Sequence, residues 1–117
     1  MSYCIKCGHI MDSKVPEMDT HPRLVCNNCG YIHYVNPTPV VGVLPIYNNQ
    51  ILLCKRNIEP RKNLWTLPAG FMEVDETVEQ GALRELQEEA GVTAEIIRLH
   101  SVFSITHVNQ IYIMFFG

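Results

Sequence analysis

The sequence predicts an α+β fold, in which a small cysteine-rich module precedes a sheet that packs on a helix. Three observations carry this reading. Four of the five cysteines fall within the first thirty residues, in a stretch with few aliphatic side chains. Pro37 and Pro39 then block helix and favour an extended linker. Beyond them, strand-like apolar runs surround one segment with both the start and the stop signal of a helix. The division is residues 1–35 and residues 36–117.

The 117 residues are 47% hydrophobic and 18% charged, a globular balance too apolar for a disordered chain. The net charge of -3 disfavours general binding to nucleic acid or to an anionic membrane surface. An anionic substrate would need a metal ion to offset the repulsion. The start, Met1-Ser-Tyr-Cys-Ile-Lys-Cys, has no apolar run after a basic stretch. The longest apolar run, Ile111–Phe116, is too short to span a bilayer. The expected location is cytoplasmic, where the cysteines stay reduced.

The elements follow in order. Val40–Tyr47 and Gln50–Arg56 read as strands around Asn48-Asn49, which suits a hairpin turn. Pro45 has no N–H, so an edge or a bulge is expected there. Asn57–Asn63 reads as loop, and Leu64–Gly70 as a short apolar stretch. Thr77 and Gln80 form a capping box, and the helix should run to Ala90 because Gly91 is a natural left-handed stop. Ala82, Leu83, Leu86 and Ala90 share its packing face. Ala94–Ser104 and Gln110–Phe116 are two further strands. The second reads as buried on both faces, so the sheet needs more cover and the chain is expected to continue beyond Gly117.

Cys4-x2-Cys7-x18-Cys26-x2-Cys29 is a zinc spacing. Each pair sets two thiolates on a tight turn, and two turns close a tetrahedron around Zn²⁺. Gly8 and Gly30 follow the second cysteine of each pair and permit the turn geometry. Two disulfides or four unconnected thiols are the alternatives. Four thiolates leave no open position, so the zinc would be structural. A module of this size cannot build a sufficient apolar core, and metal should supply much of its folding energy. His9, His21 and His33 read as surface residues, and Cys54 as a small buried apolar one.

Glu85, Glu88 and Glu89 lie at i, i+3 and i+4, on one helical face. Such like charges cost a few tenths of a kcal/mol per pair, roughly, unless a cation sits among them. Hard oxygen ligands of this kind suit Mg²⁺ or Mn²⁺. On charge alone, a solvated acidic face is the better reading. The wider pattern overturns it. Gly70-x5-Glu76-x7-Arg84-Glu85-Leu86-x-Glu88-Glu89-x-Gly91-Val92 resembles the signature of the Nudix hydrolases at every fixed position. Trp65 and Pro68-Ala69-Gly70 are similar to the family's approach to that motif. Ala69 and Asp75 stand where many members have glycine.

The resemblance implies a mixed sheet between helices, and a Mg²⁺- or Mn²⁺-dependent attack of water on a diphosphate phosphorus. Glu85, Glu88 and Glu89 would ligate the metal, with the Gly70 loop beside them. Glu76 and Arg84 would brace loop against helix, and Gly91 would end the helix. Glu85 or Glu89 would be the base. The ribbon is similar to that of NADH pyrophosphatases, but their Ser-Gln-Pro-Trp-Pro-Phe-Pro element reads Ser104-Ile-Thr-His-Val-Asn-Gln here. Leu53–Asn57 and Leu64–Gly70 resemble zinc-ribbon members of the FAD and ADP-ribose pyrophosphatase type. The expected substrate is therefore ADP-ribose or FAD, with AMP as one product; an NADH pyrophosphatase is the alternative. A binding module with an inert Nudix domain is the other class. Lys55, Arg56 and Arg61 are candidate substrate contacts, with solvated surface charge as the alternative for each. Trp65 reads as core rather than as a stacking platform. The family also suggests a homodimer.

Overall fold

The computed structural model describes residues 2–56 and 63–117. Arg61, one of the expected substrate contacts, lies outside the described residues. The chain forms two units, one up to Asn36 and one from Pro37 onward.

The first unit is an antiparallel sheet of β1 (Ser2–Tyr3), β2 (Ile10–Lys14), β3 (Arg23–Cys26) and β4 (Ile32–His33), in that order. Its two turns repeat one pattern. The Cys4 N–H donates to the His9 carbonyl and the Gly8 N–H to the Cys4 carbonyl. Likewise the Cys26 N–H donates to Tyr31 and the Gly30 N–H to Cys26. The glycines take φ of 81° and 79°, a left-handed conformation that other residues adopt at a cost. The buried core is Cys4, Met11 and Cys26, with Leu24 and Tyr31 packed beside it. His9, His21 and His33 are exposed.

The second unit begins with β5 (Thr38–Leu44), which ends where Pro45 lacks an N–H to continue the ladder. β6 (Ile46–Tyr47) and β7 (Gln50–Ile51) form a hairpin across Asn48 and Asn49, both at positive φ. This pair of left-handed residues matches the right-handed twist of the flanking strands. The expected strand over Gln50–Arg56 is instead two short pieces, β7 and β8 (Cys54–Lys55), with β8 pairing to β9 (Trp65–Thr66). Cys54 is half-buried rather than fully enclosed. Trp65 is 64% exposed, which corrects its reading as core. It stands on a two-residue strand, and the Lys55 ammonium lies 5.9 Å from its ring centroid.

β10 (Ala69–Phe71), helix α1 (Val78–Ala90), β11 (Arg98–Ile105) and β12 (Gln110–Phe116) complete the unit. The strand expected from Ala94 starts only at Arg98. The main sheet runs β10-β5-β12-β11. β12 is parallel to β5 and the other pairs are antiparallel, so the sheet is mixed. β12 has a neighbour on each side, but only Met114 and Phe115 are buried, so the burial on both faces expected for the whole strand is confined to its C-terminal half.

Helix α1 starts with both hydrogen bonds of the Thr77–Gln80 capping box. It stops at Gly91, whose φ of 65° lets its N–H reach the Gln87 carbonyl. Ala82 and Leu86 are fully buried against Val41, Val43 and Phe115, with Leu83 and Ala90 at the margin. Val41 and Val43 alternate along β5 with Val40, which faces the opposite side of the sheet. The helix therefore covers one face of the sheet, and a pocket opens on the other.

Candidate active site and metal centre

In the first unit the four sulfurs of Cys4, Cys7, Cys26 and Cys29 lie within 4.8 Å of one another. The Cys4–Cys29 and Cys7–Cys26 sulfur distances are 3.6 and 3.4 Å, far beyond the roughly 2.05 Å of a disulfide. A tetrahedron with zinc–sulfur bonds of about 2.3 Å has edges of about 3.8 Å, so the set fits Zn²⁺. The amides of Lys6 and Cys29 donate to the Cys4 and Cys26 sulfurs at 3.3 and 3.4 Å. The thiols are unevenly poised. The His9 N–H holds the Cys7 thiol down at about 5. The Tyr31 N–H favours the Cys29 thiolate, yet burial and the other three cysteines outweigh it and push that thiol up to about 11. Four thiolates at this spacing need a cation between them.

In the second unit the site grows from the contact between β10 and α1. Gly70 passes so close to the helix that a Cβ there would strike the Glu85 carboxylate. Only glycine leaves room for that carboxylate, which is why Glu85 can be 8% exposed and still lie beside the backbone. One residue earlier, the Ala69 N–H donates to Glu89 Oε2 at 3.2 Å. Two consecutive residues of β10 thus meet two glutamates one helical turn apart.

Arg84 is the brace. Its Nε and Nη2 meet the two Glu76 oxygens at 3.0 and 2.7 Å, a fork-to-fork pair. Nη2 also donates to the Phe71 carbonyl at 3.1 Å. Nη1 reaches Glu85 at 2.8 Å and Glu88 at 3.2 Å. The Arg84 guanidinium and the Glu73 N–H hold the Glu76 carboxyl down at about 2. Asp75, just before Glu76, has φ of 71°. A left-handed backbone is needed there, which explains the glycine in many resembling sequences and the tolerance of aspartate.

The three expected metal ligands occupy different surroundings. Glu85 is buried on Arg84, while the Glu88 side chain is 58% exposed. Glu89 is turned toward Ala69. Among the described residues, the group of three or more ligand atoms within 4.8 Å of one another is the cysteine quartet, not this trio. Burial pushes the Glu89 carboxyl up against the opposing Ala69 N–H, and the charge of Glu85 adds to the rise. Crowded carboxylate oxygens, one of them desolvated, are the donor chemistry that a hard divalent cation stabilises.

Glu89 also opens onto a pocket of about 300 Å³ on the sheet face away from α1. Arg56 lines it, whereas Lys55 lies over Trp65. The far wall was not foreseen from the sequence: His100, Ser101, Phe103, Tyr112 and Met114. Tyr112 and Met114 are alternate residues of β12, so the two-residue period was the available signal. Which face of that strand meets a ligand depends on how it pairs across the sheet.

Comparison with known proteins places these features. A zinc-ribbon model described as Nudix N-terminal matches residues 2–35. A crystal structure of a NUDIX hydrolase from Nitrosomonas europaea is 48% identical, covering 99% of this chain and 66% of that one, with a TM-score of 0.91. An NAD-capped RNA hydrolase of Haemophilus influenzae is 36% identical over 82% of this chain and 36% of its own length. An ADP-ribose pyrophosphatase of Methanocaldococcus jannaschii is 39% identical over 63% of this chain and 44% of its own. The chain thus spans between a third and a half of the length of these two curated relatives. The NUDIX domain model matches residues 36–115, which include the whole β10–α1 site, and the chain belongs to that family.

Proposed function

We propose that the chain hydrolyses the diphosphate bond of nucleoside diphosphate derivatives, ADP-ribose or FAD, to AMP and a phosphorylated remainder. The carrying observation is the meeting of Ala69 and Gly70 with Glu89 and Glu85 at the mouth of a pocket that Phe103 and Tyr112 help to line. Relatives that include an ADP-ribose pyrophosphatase support the substrate class. Glu85, Glu88 and Glu89 would hold Mg²⁺ or Mn²⁺, which when bound neutralises phosphate charge and acidifies the attacking water.

The chain's own residues divide the remaining work. Arg84 fixes Glu85 and Glu88, and is itself fixed by Glu76 and by the Phe71 carbonyl. Glu89 is the better of the two candidate bases. Its charge is disfavoured by burial and one of its oxygens faces the Ala69 N–H beside the pocket, whereas Glu85 is engaged by Arg84. Water would lose its proton to Glu89 as its oxygen bonds to phosphorus and the bridging P–O bond breaks. The pocket lies at the small end of the range for ligand sites, so it takes one nucleoside half of a substrate.

The test is a panel of ADP-ribose, FAD and NADH with Mg²⁺. AMP release from ADP-ribose or FAD is expected, and release from NADH alone overturns the substrate assignment. Glu89→Gln should lower the rate by on the order of a hundredfold, since even residues that only support metal ligands cost about that much. An unchanged rate would show that this set is inert. Hydrolysis at an NAD cap is the second reading, favoured by the Haemophilus influenzae relative that aligns to 82% of this chain.

A further inference from the structure

Strand β11 pairs with β12 in a register that shifts between Leu99 and Ser101. Leu99 lies opposite Phe115 and Ser101 opposite Met114, so His100 is an extra residue with no partner of its own. On a regular strand, neighbouring side chains point to opposite faces. Here His100 and Ser101 both line the pocket. A bulge is the device that re-aims a side chain in this way, and bulges gather beside active sites.

The two residues are also joined. His100 Nδ1 and Ser101 Oγ are 2.8 Å apart. The edge-to-face contact of His100 with Phe116, at 4.6 Å between centroids, fixes the ring from a second side. With Nδ1 held by the hydroxyl, Nε2 is the nitrogen that can meet a ligand. Beside it, Phe103 and Tyr112 stack 5.1 Å apart at 13°. Both line the same pocket, and Phe103 is exposed. An aromatic face next to an oriented hydrogen-bonding nitrogen is a site for a flat heterocycle with a polar edge. The charged groups Arg56 and Glu89 line this pocket too.

We infer that His100, oriented by Ser101 at the β11 bulge, is a specificity residue that bonds the nucleobase edge of the AMP half of the substrate. The inference rests on the diphosphate-hydrolase reading but is tested apart from it, with AMP and ribose 5-phosphate as probes in titration calorimetry. His100→Ala should weaken AMP about tenfold and leave ribose 5-phosphate within twofold. His100→Gln, whose amide nitrogen reaches the place of Nε2, should recover most of the loss. His100→Asn, which mimics Nδ1, should not. For ADP-ribose turnover the loss should fall on KM rather than on kcat. Equal AMP affinity in wild type and His100→Ala, or no AMP binding by wild type, overturns the assignment. An equal loss for ribose 5-phosphate also overturns it, because the contact would then be to sugar or phosphate. If AMP binding depends on His100 while no diphosphate is cleaved, the assignment stands and the hydrolase reading falls.

Discussion

The first unit buries Cys4, Met11 and Cys26, and two of these three residues are candidate metal ligands. The second buries Val41, Val43, Ala82, Leu86 and Phe115, with eight more apolar side chains packed around them. One core is therefore built around the place of an ion, and the other around apolar area. Below about 40 residues, a chain rarely buries enough surface to offset its lost entropy. A sheet packed on a helix can do so without a metal. The expected consequence is that stability in the two units answers to different perturbations, while Glu85, Glu88 and Glu89, if they hold the proposed metal, would need it for chemistry rather than for folding.

The largest effect should come from zinc. Structural zinc supplies roughly 10–16 kcal/mol of apparent folding energy in small modules. Chelation, or Cys26→Ser, should remove the hydrogen-exchange protection of residues 2–35 and leave the amides of α1 protected. Protection lost from both units together, or from neither, breaks the contrast. The complement is Leu86→Ala, at a fully buried position. It should cost about 2–5 kcal/mol. That loss should fall on the second unit alone, read from denaturant unfolding followed through its helix signal.

Gly81 sharpens the contrast within the second unit. In an exposed helix interior, alanine is better than glycine by about 1 kcal/mol. Here an added Cβ would lie 2.9 Å from Val41 Cγ2 and 2.8 Å from Glu76 Oε1. Overpacking of this kind costs roughly 1–3 kcal/mol. Gly81→Ala should therefore lower the melting temperature despite its helix propensity. A rise would mean that the sheet yields to the helix more readily than this packing implies.

The difference between the units also explains what the sequence made legible. Local signals sufficed for the helix, because Thr77, Gln80 and Gly91 act within a turn of where they stand. The cysteine spacing was equally local, two pairs on two turns. The Asn48-Asn49 hairpin follows the same rule. What could not be read was long-range. Trp65 lies in an apolar segment, yet its strand has two residues and leaves the ring exposed. The bulge at His100 depends on a partner strand ten and more residues away and has no composition of its own. The Ala69 contact to Glu89 is backbone to side chain across 20 residues. The signature motif pointed to the candidate site, and tertiary pairing decided which walls surround it.

The smallest expected effect concerns the ion pair that joins the site to its own scaffold. Glu76 bonds Arg84 twice, in a partly exposed place where solvent screens much of the attraction. Its carboxyl titrates near 2 when folded, below its ordinary 4.5. The contribution is therefore fully present above about pH 4.5 and is lost as the pH falls through about 2. Glu76→Gln removes both the charge and the titration. The variant should be less stable than wild type at neutral pH, and the gap should close across that acid window. Stability curves taken at several pH values would show it. The absence of a gap at neutral pH would assign the role of Glu76 to its hydrogen bond with the Glu73 N–H, at 2.7 Å, which glutamine can still accept. In that case Arg84 would be held by Phe71, Glu85 and Glu88, and the brace would belong to the carboxylates proposed to bind metal.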